Sequence, residues 1–315
     1  EGVALEEQVK AEQAKFDGMR IIGPNCLGVI VPPLKINLSF ANAAMPKAGN
    51  IGFISQSGAL CTSVLDWALV QDIGFTYFVS IGNMLDVTFG DLIDYFGEDP
   101  ATESMILYVE SIPKPRDFMS ASRAFSRGKP IVAYKSGRFA ESAKAAASHT
   151  GALAGEDAVY DAAFQRAGIE RVYDLDDMFD CAALLGRQKL PKGDRLGVVT
   201  NAGGPGVIAT DKLIGEGGKL AKLSDETLAK LNATLPAFWS HNNPVDVLGD
   251  APAERYAEAM SITLADPNVD AVLVILTPQA MTDATETARI IAEAAKTSTK
   301  PVLAAWMGGQ AVAAG

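Results

Sequence analysis

The feature that most limits how this chain can fold is the regular alternation of short, β-branched apolar runs with longer helical patterns along most of its length. Parallel strands cannot be joined by tight hairpins, and a crossover helix between successive strands is what such a pattern encodes. In the first half the strand segments read as 51–55, 76–80, 105–110, 130–135 and 171–175, enough for one doubly wound sheet. In the second half they read as 196–200, 219–223, 271–276 and 301–306, with helices such as 283–296 between them. A fifth strand of that sheet is expected beyond the end of the chain. Residues 1–15 read as a helix without a start signal, so both ends look like cuts through a longer protein.

A weak internal repeat divides the chain in two. Gly52-Phe-Ile-Ser-Gln-Ser-Gly58 aligns with Gly197-Val-Val-Thr-Asn-Ala-Gly203, each a strand, a turn and a helix start. Asp99-Pro100 and Asp266-Pro267 each precede a buried strand, and Lys129-Pro130 and Lys300-Pro301 each open one. A length of 315 residues fits about two domains, and the polar stretch 187–194, with Pro191 and Gly193, is the natural linker. A second break, 32–50, sets off an N-terminal remnant ending in Gly23-Pro-Asn-Cys-Leu-Gly28. The expected domains are 1–46, 47–190 and 191–315.

Composition narrows the function classes. With 27 basic and 38 acidic residues the net charge is −11, which argues against a broad nucleic-acid surface. Three scattered cysteines, Cys26, Cys61 and Cys181, give no disulfide framework and point to reduced thiols in a cytoplasmic setting. No signal peptide and no apolar run of about 18 residues is evident, so no membrane association is expected.

In an open parallel sheet, ligands bind at the carboxyl ends of the strands, where helix starts present unpaired N–H groups and a partial positive charge. Two segments suit phosphate at such a place. Ser55-Gln-Ser-Gly-Ala59 offers Ser55, Ser57 and Gly58, and Asn201-Ala-Gly-Gly-Pro-Gly206 offers Gly203, Gly204 and Gly206. Neither is a Walker A loop, because no Gly-Lys-Ser/Thr follows. Each turn alone is also what strand-to-helix geometry needs; two in register carry more weight. His149, in Ser148-His-Thr-Gly-Ala-Leu-Ala-Gly155, sits in a polar, glycine-rich run unlike a core position, and an imidazole there can act as nucleophile or base. No metal-ligand spacing surrounds it. A nucleophilic histidine needs a carboxylate to fix its tautomer, and Glu110, ending the apolar run 105–109, is best placed to supply it. The other histidine, His241, precedes an Asn-Pro turn and reads as structural.

Taken together, Ser55-Gln-Ser-Gly-Ala-Leu60, the Ser148–Gly155 run, Asn201-Ala-Gly-Gly-Pro-Gly206 and Asn243-Pro-Val-Asp246 resemble, in order and over nearly the whole chain, the nucleoside-diphosphate-forming acyl-CoA synthetases. That superfamily includes succinyl-CoA synthetase and, more similar still, the ADP-forming acetyl-CoA synthetases. The resemblance implies two flavodoxin-like doubly wound sheets preceded by the remnant of a Rossmann CoA-binding domain, in which Asn25 and Cys26 lie toward CoA. It implies that acyl-CoA is cleaved by phosphate to an acyl phosphate, that the phosphoryl group passes to His149 supported by Glu110, and that the phosphohistidine phosphorylates ADP. By the same resemblance the helices after Ser57-Gly58 and Gly203-Gly204 hold the phosphoryl group. The ATP-grasp part that binds ADP/ATP with Mg²⁺ is absent from these residues, so a partner domain or subunit and an oligomeric assembly are expected. The alternative reading is an acyl-CoA-sensing regulatory module of a protein-lysine acetyltransferase. Such modules often lack the histidine, which is retained here.

Overall fold

The computed structural model describes residues 2–41, 45–139, 142 and 156–315. It divides into two compact units, Glu1–Arg187 and Gln188–Gly315. The expected linker spans that division, whereas residues 1–46 group with the first sheet.

After α1 (Gly2–Gln13) the first unit forms β1 (Gly28–Val31), β2 (Ile36–Ser39), β3 (Lys47–Ser55), α2 (Gly58–Val70), β4 (Gly74–Ser80) and α3 (Phe89–Glu98). It continues with β5 (Ser104–Val109), α4 (Pro115–Phe125), β6 (Ile131–Lys135), α5 (Asp157–Ala167), β7 (Ile169–Val172) and α6 (Leu175–Arg187). The sheet order is β2-β1-β4-β3-β5-β6-β7. The five strands from β3 to β7 are parallel, as the sequence pattern predicts. The sheet nevertheless has seven strands: β1 runs antiparallel to both β4 and β2 and extends the edge. These two strands are four residues each and flank Pro32-Pro33, too short and too punctuated to register as periodic runs. β7 ends at Val172 instead of residue 175, because the Asp174 carboxylate accepts from the Asp177 amide (2.8 Å) and starts α6.

Being covered on both faces, the parallel strands are nearly continuous in apolar residues. Successive residues still point to opposite sides. Ile54, Leu107 and Ala133 face one cluster, with Phe96 and Phe118 from α3 and α4. Phe53, Ile106 and Val132 face the other, where Phe53 stacks on Phe78 at 4.6 Å between ring centroids.

The second unit comprises β8 (Arg195–Thr200), α7 (Gly203–Gly215), β9 (Lys219–Leu220), α8 (Asp225–Thr234), β10 (Val245–Asp246), α9 (Ala253–Ala265), β11 (Ala271–Leu276), α10 (Ala284–Lys296) and β12 (Val302–Trp306). All pairings are parallel, in the order β10-β8-β11-β12 with β9 on β8. Five strands of this sheet lie within the chain, and the one the sequence pattern does not show is β10. It is two residues long, and its role is prolonged by a side chain. The Asn243 amide accepts from Val198 N (2.9 Å) and donates to the carbonyls of Leu196 and Ala221 (2.9 Å each), bonds that a longer strand would make with backbone.

Segment 20–27 is held to the first sheet by polar contacts. Arg20 pairs with Asp86 (3.0 Å) and Asp91 (2.8 Å), and the amides of Asn83, Leu85 and Val87 donate to the carbonyls of Pro24, Gly23 and Ile21. Asp91 also receives the Thr88 amide and hydroxyl, closing a capping box on α3. Partial burial would raise the Asp91 carboxyl, but the hydrogen bonds from Arg20 and Thr88 outweigh it and bring it down to about 2. Because the folded value lies below the ordinary 3.8, the ionised group stabilises the fold above that pH, and its contribution fades as pH falls from there through about 2. Asp91→Asn is expected to lower stability by about 1 kcal/mol at neutral pH. Urea unfolding should show a reduced midpoint, and the difference from wild type should shrink below about pH 3.

Candidate functional site

The carboxyl ends of β3 and β8 are built alike. Ser55 and Thr200, both fully buried, close the two strands. Each hydroxyl accepts from the amide two residues on and donates to the same residue's carbonyl: Ser55 with Ser57 (3.0 and 3.0 Å), Thr200 with Ala202 (3.1 and 2.9 Å). Each backbone carbonyl accepts an amide from just past the neighbouring strand, Ile81 to Ser55 and Val247 to Thr200, both at 2.8 Å. Helices α2 and α7 start directly after, with Ser57 and Ala202 as N-caps.

This geometry leaves donors at the helix starts. In α2 the Ser57 hydroxyl accepts from Leu60 N (3.2 Å), and the amides of Gly58 and Ala59 have no hydrogen-bond partner among the described residues. In α7 the third position is Pro205, which has no amide, and Gly203 and Gly204 are the two without a partner among the described residues. Both helices thus offer two backbone N–H groups at a positive helix end, the donor set that suits a phosphoryl group. Gly203 and Gly204 are exposed, and a Cβ on Gly204 would meet nothing within 4 Å. Gly206 is different: it is buried, and a Cβ there would come within 3.2 Å of Thr200 and Pro244, so its role is to seat the helix on the sheet.

In the first unit a cleft of about 1090 Å³ opens at this edge. Ser57, Gly58 and Glu110 line it, and so do Asn25 and Cys26, delivered by the segment hydrogen-bonded to residues 80–87. Five of the expected site residues thus share one cavity, while Ser55 lies beneath it as support. A Cβ on Gly58 would stand 3.2 Å from Leu27 N, so glycine there lets this segment approach the helix start. Burial pushes the Cys26 thiol up, which keeps it protonated at neutral pH and unsuited to nucleophilic attack. His149 falls outside the described residues.

Two residues at these edges stand outside the expected site set. Gln56, 9% exposed, accepts from both Glu110 N (2.6 Å) and Ser111 N (2.9 Å). Its counterpart Asn201 accepts from Thr277 N (2.9 Å) and donates to Thr277 O (2.9 Å). Their place one residue after the aligned strands of the repeat was the available signal. Lys135, the last residue of β6 and 1% exposed, donates to Ser136 O and lies 4.4 Å from the Tyr160 ring centroid. Desolvation pushes its ammonium down, opposed by the charges of Asp157 and Glu110. His241 has Asn232 Oδ1 at 2.7 Å and Ala237 O at 3.0 Å from its ring nitrogens and packs near Trp239, a structural setting. Among the described residues no group of three or more His, Cys, Asp or Glu could hold a metal ion, and no helix is long and apolar enough to cross a membrane.

Two family models match the two units: residues 48–185 match the succinyl-CoA ligase-like flavodoxin domain and residues 196–314 the ligase-CoA domain. The chain is 41% identical over 309 residues to the alpha subunit of ADP-forming acetate–CoA ligase II from Pyrococcus furiosus, covering 96% of this chain and 67% of that one. It is 36% identical over 312 residues to an ADP-forming 4-hydroxybutyrate–CoA ligase of Nitrosopumilus maritimus, covering 98% of this chain and 44% of that protein. Among solved structures, the dinucleotide-forming acetyl-coenzyme A synthetase 1 of Ca. Korarchaeum cryptofilum, in complex with phosphate and ADP, superposes with a TM-score of 0.91 at 37% identity, over 98% of this chain and 67% of that one. The chain belongs to the family of ADP-forming acyl-CoA synthetases and corresponds to their alpha-type part. It spans about two thirds of the alpha-subunit relative and less than half of the longer ligase.

A test of how the cleft wall is built follows from Gly82. Its φ is +51°, and a Cβ there would fall 2.1 Å from Pro24 O. Gly82→Ala is expected to cost about 2 kcal/mol or more and to push the Asn25–Cys26 turn off the cleft. Thiol modification at Cys26, followed by mass spectrometry, should become severalfold faster while buried Cys61 stays unreactive.

Proposed function

We propose that this chain carries the acyl-phosphate and phosphohistidine chemistry of an ADP-forming acyl-CoA synthetase. A phosphate oxygen attacks the thioester carbonyl, the C–S bond breaks, and CoA leaves as the thiolate, giving an acyl phosphate. A neutral imidazole nitrogen of His149 then attacks phosphorus. The bond from phosphorus to the acyl oxygen breaks, the carboxylate leaves with the electron pair, and the ring becomes cationic. Its remaining N–H donates to the Glu110 carboxylate, which fixes the tautomer before attack and stabilises the cation after it. Phosphohistidine finally gives its phosphoryl group to ADP, which is held with Mg²⁺ on an ATP-grasp domain or subunit working in an assembly with this one, in the cytoplasm.

The observation that supports this reading best is the matched pair of helix starts, each with two open amides, one of them on the cleft that Glu110 lines. Such preorganised neutral donors take up the charge of a phosphoryl group without the reorganisation that water would require. Ser57, Gly58, Gly203 and Gly204 surround those amides; Ser55 and Gly206 set their geometry. Asn25 and Cys26 form the side of the cleft toward CoA. The acyl group is left to the pocket's remaining walls, since relatives of similar identity are named for acetate and for 4-hydroxybutyrate.

The full-length protein, incubated with acetyl-CoA and phosphate or with ATP, should acquire one acid-labile phosphoryl group, detected by intact mass spectrometry under alkaline conditions. His149→Ala should abolish it. Glu110→Gln should slow its formation by about 10²-fold or more. Wild-type protein that stays unmodified under both conditions refutes the reading.

A further inference from the structure

Gln56 is the residue whose contacts exceed what the strand-to-helix turn needs. The turn is already closed by the Ser55 hydroxyl, and in the second unit the same turn is closed by Thr200. The Gln56 side chain instead crosses to the neighbouring strand. Its Oε1 accepts from two successive amides, Glu110 (2.6 Å) and Ser111 (2.9 Å), while Nε2 reaches the Ser111 hydroxyl (3.3 Å). Its own amide donates to Tyr108 O (3.2 Å). Residues 108, 110 and 111 are therefore all fixed by one residue that itself precedes the α2 N-cap.

The second unit supplies an internal comparison. Asn201, one methylene shorter, holds Thr277 through its amide, hydroxyl and carbonyl, but reaches no amide beyond that residue. A clamp at this position is thus part of the fold, and the longer glutamine extends it by one residue, so that the backbone on both sides of the Glu110 Cα is defined. Two part-buried amides converge on one oxygen.

We infer that Gln56 is a positioning residue: by capturing the amides of Glu110 and Ser111 it sets the Glu110 side chain relative to the open amides of Gly58 and Ala59, two and three residues further along its own chain. This rests on the proposed role of Glu110, but the clamp itself can be tested without it. The carboxylate follows β5 and the amides open α2 after β3; beyond the end of the β3–β5 ladder, Gln56 joins the two by both covalent chain and hydrogen bonds. A loss of about 1 Å in such placement is worth up to about 100-fold in rate.

The test uses Gln56→Met, which keeps length and loses both amide functions, and Gln56→Asn, which reaches as far as Asn201 does. Hydrogen exchange at the Glu110 and Ser111 amides should accelerate at least tenfold in Gln56→Met, with the unfolding midpoint showing that the variant is folded. In the full-length protein, single-turnover phosphorylation of His149 by acetyl phosphate should fall about tenfold or more at saturation, with the half-saturating concentration within twofold of wild type. Gln56→Asn should lie between. Unchanged exchange at both amides overturns the clamp. Unchanged rates with accelerated exchange overturn its role in positioning. A half-saturating concentration that rises in step with the fall in rate makes Gln56 a substrate contact, which also overturns it. If the wild-type protein takes no phosphoryl group, the function reading fails, and the exchange rates alone judge the clamp.

Discussion

The arrangement on which the site depends is a buried hydroxyl at the end of a strand that hydrogen-bonds both ways to the residue two positions on. Ser55 and Thr200 have no access to solvent, so their hydroxyls must be satisfied locally, and the turn that satisfies them directs the chain from strand into helix within two residues. The helix then begins at the sheet's edge instead of a loop's length away, with its first amides unpaired among the described residues. Every other element of the site is added to this turn. The Gly23–Leu27 segment packs on it through Gly58, and the neighbouring strand is held to it through Gln56 or Asn201.

Under the proposed function, a chain of net charge −11 must handle a phosphoryl group against a long-range field that repels the anion. What the two helix starts offer for this is short-range neutral donors. The fully buried cation at this edge, Lys135, is turned toward Tyr160 and a backbone carbonyl instead of toward the cleft. Neutral amides at a helix start hold an oxyanion without fixing it as firmly as an arginine fork would. For a group that must arrive from one molecule and depart to another, tight binding at the intermediate would only slow departure.

Much of this was legible in the sequence. The parallel strands β3 to β6, β8, β11 and β12 are runs of four or more apolar and β-branched residues whose ends shift by only a residue or a few, and the repeat put Ser55 opposite Thr200. What the sequence does not display is short or relational. β1, β2 and β10 have two to four residues, below the length at which periodicity can be seen. β10 is completed by the Asn243 side chain, which no pattern of hydrophobicity records. Glu110 could be placed from the sequence because it ends an apolar run. For Gln56 the repeat marks the position but not the contact, because its partner is a backbone amide more than fifty residues away on a strand whose adjacency comes only from the sheet order. The packing of the Asn25–Cys26 segment against the first sheet is likewise not visible in the sequence. The segment's hydrogen bonds to residues 80–87 mix backbone pairs with side-chain contacts to Ser80 and Asp86, far apart in the chain, and leave no compositional trace.

The two helix starts reach the same number of open amides by opposite means: a serine hydroxyl occupies the third amide of one, and a proline deletes the third amide of the other. The two solutions are not interchangeable piece by piece. Serine at 202 would find nothing to accept from at 205, and alanine at 57 would expose a third donor at Leu60. The two starts differ in every capping side chain, yet among the described residues each presents two amides, not three, to whatever it faces.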